Sequence, residues 1–196
     1  MRLLDSRVYW WVSRLSSYLL LSGLWLLCSS LVLTLFPATV AMFAVFRAWQ
    51  DNPDEAFYLP FLARLRGHFV ADFVLGLLWL LLAALLLLNA ALLPQVPSPV
   101  RPPAFALLAL GGLLYLAASI FIFPLQVCTS LGLRANARAA VVLGMTQLGT
   151  TVLCTLVLTL AGTAFWFFPP SLFLSGAAAG HLVYGLCSRR LGHFFT

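Results

Sequence analysis

Charge in this chain lies almost entirely outside its long apolar runs. The first run, Ser17 to Phe46, has 30 positions without a charged residue; the others are Phe69 to Leu93, Ala104 to Val127, Ala139 to Phe168 and Ser171 to Ser188. None alternates apolar and polar positions as a barrel strand would, so each predicts helix of membrane-crossing length at about 1.5 Å per residue. "PQVPSPVRPP", Pro94 to Pro103, stops the second run with five prolines in ten residues, a composition that forbids helix and makes a short stiff loop. "FWFFPP" closes the fourth run as an aromatic belt followed by a stop.

Two segments outside the runs have a different pattern. Residues 1–16 mix Arg2, Arg7 and Arg14 with Tyr9, Trp10 and Trp11, the pairing suited to headgroups, and predict an interfacial lead-in. Residues 47–68 open on an Asp51-Asn52-Pro53 turn with Asp54 and Glu55 ahead of a helix. Phe57, Phe61, Leu65 and Phe69 then recur every four positions while Arg64, Arg66 and His68 project elsewhere. That is an amphipathic helix lying on the membrane before the chain enters it.

The first run poses a topological question, because it is too long for one upright crossing and too short for two. If it passes straight through, alternating loops place Arg2, Arg7, Arg14 and Arg101 on one side and the other seven arginines opposite. If it folds back near Pro37, ten arginines share a side and Arg101 stands alone. Positive residues are retained in the cytoplasm, which favours folding back, with both termini cytoplasmic. The return from Pro37 to Phe46 is only ten residues, so the expectation is a broken or re-entrant first element that protein must cover. The fold class expected is all-α: a polytopic transmembrane bundle with about five membrane segments in one domain, 1–196.

Composition agrees. The 196 residues are 63% hydrophobic and 8% charged, with mean hydropathy +1.04; a water-facing domain carries roughly 25% charge. The net charge of +6 is all arginine, without lysine, and its place at run edges points to anchoring in a lipid bilayer rather than to nucleic acid. Cys28, Cys128, Cys154 and Cys187 lie in or beside apolar segments without a C-x-x-C pair, so they read as small apolar fillers. "LLLSGLWLLCSS" lacks a signal-cleavage pattern and runs on into further apolar sequence, so it reads as a retained membrane segment.

Few residues are candidates for chemistry. Asp72 is the one acid inside an apolar run, and a buried charge there is a functional suspect by default. It lies near the run's start with His68 four residues earlier, so local pairing or snorkelling is the alternative. Asn89, Gln126, Gln147 and His181 are the remaining strong polar groups at membrane depth. They either line a solute path or bond between helices, the commoner use. Gly176 and Gly180 form a G-x-x-x-G that lets helices approach closely. No H-E-x-x-H, G-x-S-x-G, phosphate-binding loop or carboxylate pair occurs, and no two ligands stand at metal spacing. The sequence thus predicts no enzyme, catalytic residue, metal or cofactor.

"LLDS" near the start, "LWLLCSSLVLTLFPATVAMF", Arg47, an acidic turn and "FLARLRGHF" together resemble the YesL family of bacterial membrane proteins. "FIFPL" at 121–125 looks like that family's Tyr-Pro-Leu stretch, and "QLGTT" at 147–151 occupies the place of a short motif opening its fourth helix. The chain departs from the pattern at Leu31, where the family has a proline, at Phe36, where it has a glycine, and at His68, where it has an asparagine. The arginine that often follows the Tyr-Pro-Leu stretch is also missing. The resemblance implies a multi-pass protein of the bacterial cytoplasmic (inner) membrane without an established activity. It also implies an accessory or scaffold role beside solute uptake, carbohydrate included, with ABC-type permease subunits as partners. A small transporter or channel is the alternative.

Overall fold

The computed structural model describes residues 2–29, 34–129, 132–167 and 172–191. The side chains of the lead-in before Val12 and of Arg189 and Arg190 lie outside the described residues, as do Leu31 and the Phe168–Ser171 turn. Seven helices carry the described chain: α1 (Arg2–Ser29), α2 (Leu35–Asp51), α3 (Tyr58–Leu92), α4 (Arg101–Cys128), α5 (Leu133–Thr146), α6 (Leu148–Phe167) and α7 (Leu172–Leu191). No strand occurs among the described residues. Among the described residues, three helices are long and apolar enough to cross a membrane, within Val12–Ser29, Tyr58–Gln95 and Arg101–Cys128; α5 with α6 makes a fourth if that bent pair is one span. The expected count of five segments compares with three or four among these residues. α2 is only 17 residues long and carries Arg47 and Asp51, and α7 is diluted by His181 and its two closing arginines.

α1 and α2 form an antiparallel hairpin. Trp25 Nε1 donates to Thr39 Oγ1 at 3.2 Å, the Tyr18 and Trp49 rings meet edge to face at 5.2 Å, and Arg14 Nη1 donates to the Pro53 carbonyl at 2.6 Å. Partner numbers climb along α2 as they fall along α1. The position of the break is corrected: it precedes Pro37, which sits buried in the first turn of α2. There its missing N–H would have had no intrahelical partner, so the ring is tolerated without a kink. The return is consequently the whole of α2, about 25 Å long, rather than ten residues. α1 runs unbroken from Arg2, so residues 1–16 are not a separate lead-in helix.

α2 is the centre of the bundle. It packs against α1, α3, α4 and α7, and nine of its residues are buried, among them Val40, Phe43, Phe46 and Trp49. α7 lies against both α1 and α2: the Ala177 N–H donates to Ser22 Oγ at 3.2 Å and Gln50 Nε2 to Ser188 Oγ at 3.2 Å.

α3 is 35 residues long with non-helical angles at His68 (φ −129°, ψ 15°). Ahead of this kink Phe61 is fully buried, and Phe57 and Leu65 pack against the core. Phe69, past the kink, faces outward. Of the segment read as 47–68, residues 47–51 belong to α2 and 52–57 form the turn.

The single helix expected over 139–168 is two helices bent by 97° at Gln147 (φ −111°, ψ 47°). Backbone groups freed by such a break must be satisfied inside the protein. Here the Thr151 hydroxyl lies 3.3 Å from the Gly144 carbonyl and 3.2 Å from that of Gln147. A side chain at Gly144 would strike the Ala117 backbone, so α4 and α5 touch main chain to main chain. Pro124 does not interrupt α4, which continues to Cys128.

These pairings gather the 52–57 turn, the last turn of α4 and the end of α7 at one end of the bundle. Arg101 lies at the other end, folded onto its own loop, where it donates to the carbonyls of Pro94 at 2.8 Å and Val96 at 3.0 Å.

Candidate functional site

The densest polar cluster grows from the kink in α3. On a straight helix, residues eight apart are separated by about 12 Å along the axis, too far for a close ion pair. The non-helical turn at His68 brings Arg64 back onto Asp72, which it holds as a fork: Nη2 to Oδ1 at 2.8 Å and Nε to Oδ2 at 3.0 Å. Asp72 is 1% exposed and the Arg64 side chain 16%. Two parallel charge-assisted bonds are the strongest form such a pair takes, and burial makes the loss of either partner costly.

The cluster continues across helices. Gln126 Nε2 of α4 donates to Asp72 Oδ1 at 3.3 Å, and its Oε1 accepts from Asn136 Nδ2 of α5 at 2.7 Å. Asn136 Oδ1 lies 2.7 Å from Thr129 Oγ1, just past the end of α4. One chain of bonds thus ties the kink of α3 to the end of α4 and the start of α5. Beside it Arg47 of α2 donates to the Val127 carbonyl, one of the last carbonyls of α4, which have no helical partner. Cys128 Sγ lies 3.5 Å from the Tyr184 hydroxyl of α7.

The singled-out polar residues separate into unlike surroundings. Asp72 and Gln126 meet in the cluster; Asp72 takes Arg64 as its ion partner, and His68 supplies the kink instead. Asn89 is on the exposed side of α3 and donates to the Leu85 carbonyl of its own helix at 2.8 Å. Gln147 caps α5 at the break, its N–H donating to Leu143. His181 stands edge-on between the rings of Tyr18 and Phe46, with centroids 5.8 and 5.3 Å away. Gly180 lies under Met42 and Phe46 so closely that a side chain would clash, and Gly176 faces Ser22. These glycines seat α7 against α2 and α1.

Asn136 and Thr129 were missed by sequence reasoning, because both lie between the apolar runs Ala104–Val127 and Ala139–Phe168. Asn136 is 1% exposed; the available signal was its place midway between Arg134 and Arg138, on the face opposite to both.

A cavity of about 560 Å³ is apolar and lies among α1, α2, α4, α6 and α7; another, of about 260 Å³, is polar and lies beside Arg14, Trp49 and Glu55. Neither is lined by Asn89, Gln126, Gln147 or His181. The described residues hold no group of three His, Cys, Asp or Glu side chains placed to bind a metal. Cys28, Cys128, Cys154 and Cys187 are free thiols.

Residues 18–90 match a family profile described as "Protein of unknown function, DUF624". The matched stretch spans the C-terminal part of α1, all of α2 and α3 nearly to its end, and includes Pro37, Arg64 and Asp72. The chain is also similar to the uncharacterized protein YesV of Bacillus subtilis (strain 168), 34% identical over 138 residues, which are 67% of this chain and 65% of that relative. It thus spans just under two thirds of the relative's length. No solved structure matches the chain.

Proposed function

We propose that this chain is a YesL-like integral membrane protein of the bacterial cytoplasmic membrane that acts as an accessory or scaffold subunit beside a solute-uptake complex. One observation carries this reading over a transporter of its own: the polar groups of the Arg64–Asp72 cluster are spent on one another between α3, α4 and α5. Intramembrane polar residues that carry solute line a wet cavity, whereas those used as glue bond helix to helix. The family profile and the YesV relative support the assignment to this class of membrane protein. Carbohydrate as the solute and ABC-type permease subunits as the partners follow from the YesL resemblance. In this reading the arginine-rich end faces the cytoplasm and Arg101 faces outward.

Co-purification tests the role. Mild solubilisation of the tagged protein from its native membrane is expected to bring permease subunits with it. Recovery of the protein alone, under conditions that keep a known permease complex intact, overturns the accessory reading. Solute flux through vesicles holding only this protein would favour the transporter.

A further inference from the structure

The apolar cavity of about 560 Å³ plays no part in the polar cluster. Its walls come from five helices, and two of them, α1 and α4, are candidate spans. Leu116 and Leu158, both on its lining, are 58% and 47% exposed, so the cavity opens sideways onto the apolar outer surface. Whatever fills it comes from what surrounds those spans.

Its polar atoms are already engaged. Trp25 Nε1 donates to Thr39 Oγ1 at 3.2 Å. The hydroxyls of Thr39, Ser119, Thr155 and Thr159 each lie 2.7 to 2.9 Å from a carbonyl on their own helix. A polar solute entering here would lose water and find no donor to replace it, at a cost of several kcal/mol by water-to-hydrocarbon transfer. A hydrocarbon loses nothing.

Shape separates the apolar occupants. A helix with its side chains is about 10 Å across and rises 5.4 Å per turn, so a cavity of this volume holds only about one turn of a partner's helix. A flexible hydrocarbon chain can follow it throughout. The lining has room at Gly162, where a Cβ would meet nothing within 4 Å. Trp25 and Thr39 place part of the cavity near the end of α1 and the start of α2, the end that also carries the proline loop.

We propose that this lateral cavity is a binding site for one acyl chain of a membrane phospholipid, entering from the leaflet on the proline-loop side. The site rests on the chain being membrane-embedded but is independent of any partner complex, so failure to find permease subunits leaves it standing.

The test uses the full chain in vesicles of phosphatidylcholine containing a fraction of the same lipid with a photoactivatable diazirine on one acyl chain, with adducts mapped by peptide mass spectrometry. Adducts are expected to concentrate several-fold on the α6 and α7 residues of the lining relative to the outer faces of α3 and α4, such as Leu85 and Leu107. Gly162→Phe, which fills open space, is expected to bring lining adducts down to the outer-face level without lowering the unfolding temperature. Leu85→Phe, outside the cavity, is expected to leave the pattern unchanged. Uniform labelling of all outward faces overturns the proposal, as does a pattern that persists in a folded Gly162→Phe protein. Cross-linking of the lining to a second polypeptide in place of lipid overturns it in favour of a partner helix.

Discussion

Arg47 donates from the outgoing turn of α2 to the carbonyl of Val127, eighty residues later. The contact closes the end of α4 with a charge of the favourable sign for a helix C-terminus. It also fixes α4 to the central helix at the end where Cys128 and Tyr184 meet. Hydrogen bonds to charged groups are worth about 1.5–3 kcal/mol. Arg47→Met is expected to lower stability by an amount near the bottom of that range, read by reversible unfolding in mixed micelles, with Arg47→Lys retaining part of it. Equal stability of Arg47→Met and the parent would show that the carbonyl is served equally well by water.

Single substitutions in the Arg64–Asp72 pair should be worse than removing both. Asp72→Ala or Arg64→Ala leaves one buried charge uncompensated, an effect of about 3–5 kcal/mol. The double replacement by leucine and methionine is expected to recover much of the loss. A double-mutant cycle measures the coupling. Additive losses would mean that the two side chains act independently. Gln126→Leu, which breaks the onward bonds to α5, is expected to cost less than either charge deletion.

Phe36 and Gly76 are fitted to each other. A Cβ added at Gly76 would collide with both Cγ and Cβ of Phe36, so α2 and α3 meet here because α3 has no side chain at the contact. Gly76→Ala is expected to destabilise by about 1–3 kcal/mol, the range for overpacking, and Phe36→Gly in the same protein, which removes the Cβ as well as the ring, is expected to relieve most of that overlap. Thermal unfolding of the two single variants and the double variant checks this. A double variant no better than the Gly76→Ala protein would place the strain elsewhere.

The hairpin predicts the location of its loops. Reporter fusions at Asn52 and Pro99 are expected to lie on opposite sides, cytoplasmic and external respectively. Pro37→Ala is expected to leave both where they are, because the turn precedes that residue. A reporter at Asn52 that changes sides in the Pro37→Ala protein would return the break to the proline.

The fold-back of the first run was legible because arginines report on topology without regard to local geometry. Its position was misread because a proline reads as a stop, although in a helix's first turn it removes an N–H that had no partner. The division at Gln147 has no proline to announce it. Its traces, Gly144, Gly149 and the threonines of "GMTQLGTT", are ordinary residues until Thr151 is seen returning to Gly144. Asp72 stood out from its apolar surroundings, but its partner did not. Helical periodicity links residues three or four apart, and only a backbone irregularity at His68 joins positions 64 and 72.

The middle position of α2 also bears on biogenesis. This helix emerges from the ribosome early, is too short and too charged to partition into lipid on its own merits, and has most of its neighbours still unsynthesised. α4 and α7, which complete its surroundings, are made only in the second half of the described chain. The nascent hairpin must therefore be held by the insertion machinery, or rest near the headgroups, until the C-terminal half of the chain arrives to enclose it.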